Sequence, residues 1–179
     1  AIKLVSPSIY VDLGDVGEWE SVSQWKWKRK KMPPLEYVIP EIEKEIKAVN
    51  RGMDVIDEAL DEVECDERHF CEGNHDNWIN EFTRRYPYTN YSFKDAVNLQ
   101  GRGYAYYPMG THVKLGHLYL YHGHLYGGMY HTANHLRRFG CNMMYGHWHD
   151  IQHMTATHMD GPKAAWSIGC LKDMSCLLY

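Results

Sequence analysis

Apolar positions between residues 41 and 63 recur in steps of four and three: Ile42, Ile46, Val49, Met53, Ile56, Leu60 and Val63. That spacing lines one face of a helix. Glu41, Glu43 and Glu45 sit in its first turns, where acidic groups favour the helix dipole. Pro33-Pro34 and Pro40 bracket its start. The stripe spans three heptads, which suits packing on a sheet and also admits a helix–helix pairing. Gly52, inside the stripe, costs roughly 1 kcal/mol relative to alanine. Shorter runs read differently. Residues 9–13 form a brief apolar strand that ends at Gly14, and residues 68–72 form another that runs into Gly73. Residues 78–86 look helical, and 86–99 are mixed. Residues 104–107 read as a strand, and 113–115 with 118–121 as a hairpin around Gly116-His117. A helix over 130–139 has Gly140 beyond its end. A strand over 141–145 ends at Gly146. Two more, 151–157 and 164–168, flank the turn Asp160-Gly161-Pro162. Strands alternating with helices predict an α/β chain.

Composition narrows the class. The 179 residues suit a single domain with a real core. An apolar fraction of 44% and a charged fraction of 23% are ordinary for a globular chain. A net charge of −4 excludes a chain that coats nucleic acid by charge alone. No apolar run approaches the ~20 residues of a membrane-spanning helix, and no secretory signal pattern opens the sequence. Cys65, Cys71, Cys141, Cys170 and Cys176 show no CxxC spacing. They read as reduced, mostly buried thiols of a cytoplasmic protein. Residues 19–64 read as a loop–helix insertion projecting from the domain.

The polar motifs fall at informative places. Gly14-Asp15, Gly73-Asn74-His75-Asp76, His122-Gly123 and Gly146-His147-Trp148-His149-Asp150 each follow an expected strand. In open α/β folds, ligands bind beyond the carboxyl ends of strands. Asp, Asn and His together suit two divalent cations that share one carboxylate; such a pair acidifies water and neutralises phosphate. Ten of the 12 histidines lie between His112 and His158. Most of these, including His117, His131, His135, His153 and His158, read as structural. His124, two residues from His122, has the best claim among the rest to line a cleft.

The four motifs, in this order, resemble those of the calcineurin-like metallophosphoesterases, and the likeness covers most of the chain. The linking segments resemble phage-encoded members. The resemblance implies a four-layer αββα sandwich of two mixed sheets flanked by helices. It implies two divalent metal ions, Mn²⁺ first and Fe or Zn²⁺ as alternatives. Asp15 would bridge them. Asn74, His122 and His147 would complete the second metal site, and His149 would bind the first. His75 would stand over the phosphate and protonate the leaving oxygen, with Asp76 orienting it by a hydrogen bond. Glu18 occupies a position where many members carry an acid. One departure is plain. The family opens with a D-x-H motif well upstream, yet only fourteen residues precede Asp15 and none is histidine. The segment after residue 168 also reads as short of its last strands. The domain is therefore expected to be incomplete at both ends, with Asp15 and His149 alone left to the first metal.

The run Trp25-Lys26-Trp27-Lys28-Arg29-Lys30-Lys31 adds a possible partner. Aromatic rings stack on bases while lysine and arginine neutralise phosphates, which suits nucleic acid; a solvated surface helix whose tryptophans cap the core fits as well. The expected activity is hydrolysis of phosphodiesters, nucleic acid included. The alternatives are a phosphomonoesterase or protein phosphatase on the same scaffold, or a non-catalytic binding module. The long helix leaves room for a homo-oligomer.

Overall fold

The computed structural model describes residues 1–171. The chain divides into two compact units, one over residues 1–111 and one from residue 112 onward. The first unit holds α1 (Ile2–Val5), β1 (Ile9–Asp12), α2 (Gln24–Trp27), α3 (Leu35–Glu62), β2 (Glu67–Cys71), α4 (Asn74–Arg85), α5 (Phe93–Ala96) and β3 (Tyr104–Tyr107), with a 3-10 turn at Pro87–Thr89. The second holds β4 (Val113–Leu115), β5 (Leu118–Tyr121), α6 (His131–Phe139), β6 (Asn142–Tyr145), β7 (Ile151–His158) and β8 (Gly161–Ile168). The class is mixed α and β with two sheets.

In the first unit β1, β2 and β3 form a parallel sheet in that order. Two mixed sheets were expected; here every connection passes through a helix, so each strand returns in the same direction. The α3 stripe behaves as its spacing predicts. Ile42, Met53 and Leu60 are fully buried and share one core cluster with Phe70, Ile79 and Phe93. The helix nevertheless starts six residues before Glu41, and Pro40 lies inside it. Val38, buried in the same cluster, holds that extra turn against the core, so packing overrides the proline. The Arg102 guanidinium pins the middle of α3 through Asp54, Asp57 and Asn50. Trp19 and Val22 are core residues of this unit, which ties the start of the 19–64 segment inward; Trp25 and Lys28 onward to Lys31 are exposed.

The second unit is a five-stranded mixed sheet, ordered β4-β5-β6-β8-β7. The β4–β5 and β7–β8 pairs are antiparallel hairpins, while β5–β6 and β6–β8 are parallel. Helix α6 packs on β7 and β8. It ends, as its sequence predicts, at Gly140 with φ 60°. The core here is Tyr121, Leu136, Met143, Tyr145 and Ala165. The strand β8 begins at Gly161, earlier than the turn residues suggest, and Pro162 pairs with Thr157. Pairing with β6 begins only at Ala165, so Pro162 stands outside that ladder.

Cys65 and Cys71 are buried, Cys141 is half-buried, and Cys170 is exposed rather than buried. Cys176 and the expected missing last strands lie outside the described residues. No helix among the described residues is long and apolar enough to cross a membrane.

Candidate metal centre

In the first unit, register sets the geometry. Asp12 pairs with Phe70 across β1 and β2. The Gly14-Asp15 turn and the Gly73-Asn74 turn therefore leave the same carboxyl edge of adjacent strands. Asp12 Oδ1 accepts from the Gly14 amide at 2.8 Å, which folds the chain back immediately after the strand. Asp15 then adopts φ 60°, a left-handed conformation that few non-glycine residues occupy. A Cβ on Gly73 would collide with the Asp15 backbone and carboxylate, so only glycine lets the two turns approach.

The helix α4 starts at Asn74, earlier than the sequence suggests, so Asn74, His75 and Asp76 occupy its first turn. Asp15 Oδ1 accepts from the His75 amide at 2.9 Å, which sets a carboxylate against the positive end of the helix. Asp76 is fully buried and is used differently from the expectation. Its Oδ2 accepts from the Asp15 amide at 2.7 Å and from the Gly73 amide at 3.1 Å, and its Oδ1 accepts from Trp19 Nε1 at 3.1 Å. None of these donors is the His75 ring. Adjacent residues on a helix face different directions, so Asp76 cannot turn back to its neighbour's imidazole. Burial, then the nearby Asp15 carboxylate, raises Asp76 well above the usual carboxylate range; the three N–H donors oppose this.

His75 is oriented by other groups. Its ring stacks on Trp78 at 4.1 Å between centroids, with 18° between planes. Its Nδ1 lies 3.9 Å from Glu18 Oε2. Trp19 and Trp78, the two aromatic supports of this motif, carry no motif spacing that would have marked them in the sequence. The only hint was the tryptophan content of the segments on either side.

The second unit repeats the device. Tyr121 pairs with Tyr145 across parallel β5 and β6, so His122-Gly123 and Gly146-His147 leave one carboxyl edge. The Gly146 amide continues the ladder by donating to the His122 carbonyl at 3.1 Å. Gly123 has φ 110°, and a Cβ there would press on the Tyr145 ring and the Gly146 carbonyl. His122, 2% exposed, brings Nε2 to 3.0 Å from His147 Nδ1. His124 lies beside them, with ring centroids 6.0 Å from His122 and 6.5 Å from His147. His147 and His149 have φ of 68° and 60°. Left-handed backbone at Asp15, His147 and His149 is the kind of local strain that gathers at functional sites.

His149 is not part of the ring grouping of His122, His124 and His147. The loop that carries it is held from behind. Trp148 Nε1 donates to the Gly123 carbonyl at 3.2 Å, and the Trp148 ring stacks on His131 at 5.2 Å. His131, 2% exposed, joins Tyr145 Oη at 2.7 Å through Nδ1 and Asp150 at 3.0 Å through Nε2. Hydrogen bonds from His131 and Gln152 hold the Asp150 carboxyl below its ordinary value against the opposing effect of partial burial. His131 and His135 both lie in the core of this unit. His69 bonds Tyr107, and His153 stacks on Trp166.

The donor chemistry fits a divalent cation. Two imidazole nitrogens about 2.1 Å from one ion would stand about 3.0 Å apart in octahedral and about 3.4 Å apart in tetrahedral geometry. His122 Nε2 and His147 Nδ1 stand 3.0 Å apart, which is also hydrogen-bond distance. The chain matches no family model, no curated protein and no solved structure.

Proposed function

We propose that this chain is a metal-dependent phosphoesterase that cleaves phosphodiester bonds, built on the calcineurin-like plan. The observation that carries the reading is the His122–His147 pair, whose nitrogens stand 3.0 Å apart at the ends of parallel strands. The motif order supports the rest: a four-layer αββα sandwich, and Asp15, Asn74, His122, His147 and His149 as the residues that would hold two divalent ions, Mn²⁺ first. Such ions would supply Lewis acidity to phosphoryl oxygens and lower the pKa of water.

The protein's own residues have separable tasks. Asp76 fixes the Asp15 turn by accepting its amide, so the Asp15 carboxylate is presented in one orientation. Trp78 holds the His75 ring flat, and Glu18 lies on its Nδ1 side. His75 then serves as the general acid that returns a proton to the leaving oxygen.

The test is metal content per chain after loading with Mn²⁺ and desalting, followed by hydrolysis of bis- and mono-nitrophenyl phosphate. Retained metal and preference for the diester are expected. His75→Ala should abolish hydrolysis and keep the metal. Preference for the monoester would move the reading to a phosphomonoesterase. A chain that retains no metal, or retains it and cleaves neither ester, would sink the proposal.

A further inference from the structure

Two adjoining cavities mark the surface of the first unit, with volumes of about 650 and 350 Å³. Ser23 and Trp78 line both, so they form one furrow. His75 and Trp25 border its smaller part, and Trp27, Lys28, Arg84 and Arg85 its larger part. The walls come from α2 and the segment after it on one side and from the last turns of α4 on the other.

Aromatic and cationic groups line the furrow together with Glu18, Glu20 and Glu81; Lys26 pairs with Glu20 at 3.1 Å and Arg84 with Glu81 at 2.9 Å, which leaves Lys28 and Arg85 as its cations without a carboxylate partner among the described residues. Trp25 leaves 70% of its surface exposed, with Lys28 Nζ 5.4 Å from its ring centroid. Lys26 Nζ is 5.4 Å from the Trp27 ring. Trp27 Nε1 donates to the Ser21 carbonyl at 3.0 Å, which fixes the indole plane. Arg29, Lys30, Lys31 and Arg85 make no ion pair among the described residues. Arg29, Lys30 and Lys31 follow the furrow-lining residues directly in sequence, a local basic run in a chain of net charge −4. A flat base stacked on an exposed indole brings its phosphate within reach of the adjacent cation, the arrangement that single-stranded nucleic acid requires.

We propose that this furrow binds single-stranded nucleic acid, with bases on Trp25 and Trp27 and phosphates on Lys28 and Arg85, so that the strand leads to His75. The role of His75 at its end rests on the phosphoesterase reading; the binding itself does not.

Fluorescence anisotropy of a labelled oligo-dT, in EDTA and over a series of salt concentrations, tests the furrow apart from catalysis. Trp25→Ala removes an exposed ring without touching the core and should weaken binding at least about fivefold. Arg85→Ala should weaken it and reduce the slope of log affinity against log salt by about 0.7. Trp27→Phe, which keeps a stacking face, should bind like the parent. Unchanged binding in Trp25→Ala and Arg85→Ala, or no binding by the parent, would overturn the proposal. So would inorganic polyphosphate binding as tightly as oligo-dT, since charge alone would then account for the furrow. Hydrolysis of bis-nitrophenyl phosphate without oligonucleotide binding would retire the furrow and keep the phosphoesterase. Metal-independent oligonucleotide binding without hydrolysis of either ester would do the reverse.

Discussion

Trp19 Nε1 donates to Asp76 Oδ1 at 3.1 Å, so the side chain least exposed in the segment before α2 secures the carboxylate that braces the Asp15 turn. With the Asp15 and Gly73 amides, it surrounds a fully buried carboxylate with three donors. Trp19→Phe deletes one of them in a site without water access and should cost about 2–3 kcal/mol, the value of a buried hydrogen bond to a charged group. Urea unfolding in EDTA measures it. A loss below about 0.5 kcal/mol would show that the indole is packing only.

Asp76 also predicts a pH effect. Its folded-state ionisation lies above the unfolded value, so its contribution to stability is complete below the usual carboxylate range and declines as pH rises through its folded titration. Asp76→Asn cannot titrate. The stability gap between parent and variant should therefore narrow as pH rises out of that range, in metal-free protein. A gap that widens with pH would contradict the burial argument.

His149 has φ 60° and is outside the His122–His147 pair. Glycine adopts that backbone without the steric cost of a Cβ, a difference of roughly 1–2 kcal/mol. His149→Gly should therefore stabilise the metal-free protein by about 1 kcal/mol and lower its capacity for Mn²⁺. Thermal unfolding in EDTA and metal content after desalting read the two effects separately. Destabilisation in EDTA would mean that the imidazole supports the fold.

His135 supplies the opposite pH dependence. It is fully buried, its Nδ1 lies 2.7 Å from the His131 carbonyl, and its ring stacks on Tyr145 at 3.9 Å. Burial lowers its pKa, assisted by the neighbouring imidazoles of His131 and His124; hydrogen bonds to backbone oppose the shift. The unfolded chain therefore takes up a proton first as pH falls below the ordinary histidine value, and the native state is progressively disfavoured there. His135→Gln should lose less stability than the parent between pH 7.5 and 5.5. Equal losses would place the titration elsewhere.

Much of this arrangement was legible in the sequence because local pattern determines it. The α3 stripe, the β4–β5 hairpin around Gly116-His117 and the Gly140 end of α6 all follow from spacing within one element. So did the placement of the four polar motifs at strand ends. The start of α3 was not legible, because Pro40 argues against a helix and only the burial of Val38 overrules it. The bonding of Asp76 to the Asp15 turn was not legible for a similar reason. Its partners are two backbone amides and an indole, of which the Asp15 amide is 61 positions away, and no motif records a hydrogen bond to a distant main chain. Trp78 as the platform for His75 was equally silent, although the two share the first turns of α4.

Strand register also orders the assembly of this chain in time. β7 and β8 meet across the tight turn between His158 and Gly161, whereas β1 reaches β2 only after the whole of α3 has been spanned, Ile9 against Glu67. Closing the longer loop costs more chain entropy before any contact repays it. The hairpin should therefore acquire protected amides early in refolding, and the edge that carries Asp15 late. Pulse-labelled hydrogen exchange would resolve the sequence, and protection of β1–β2 before β7–β8 would refute it. A partly refolded chain would then hold the hairpin that follows His149 while the two strands flanking its aspartate turn were still apart.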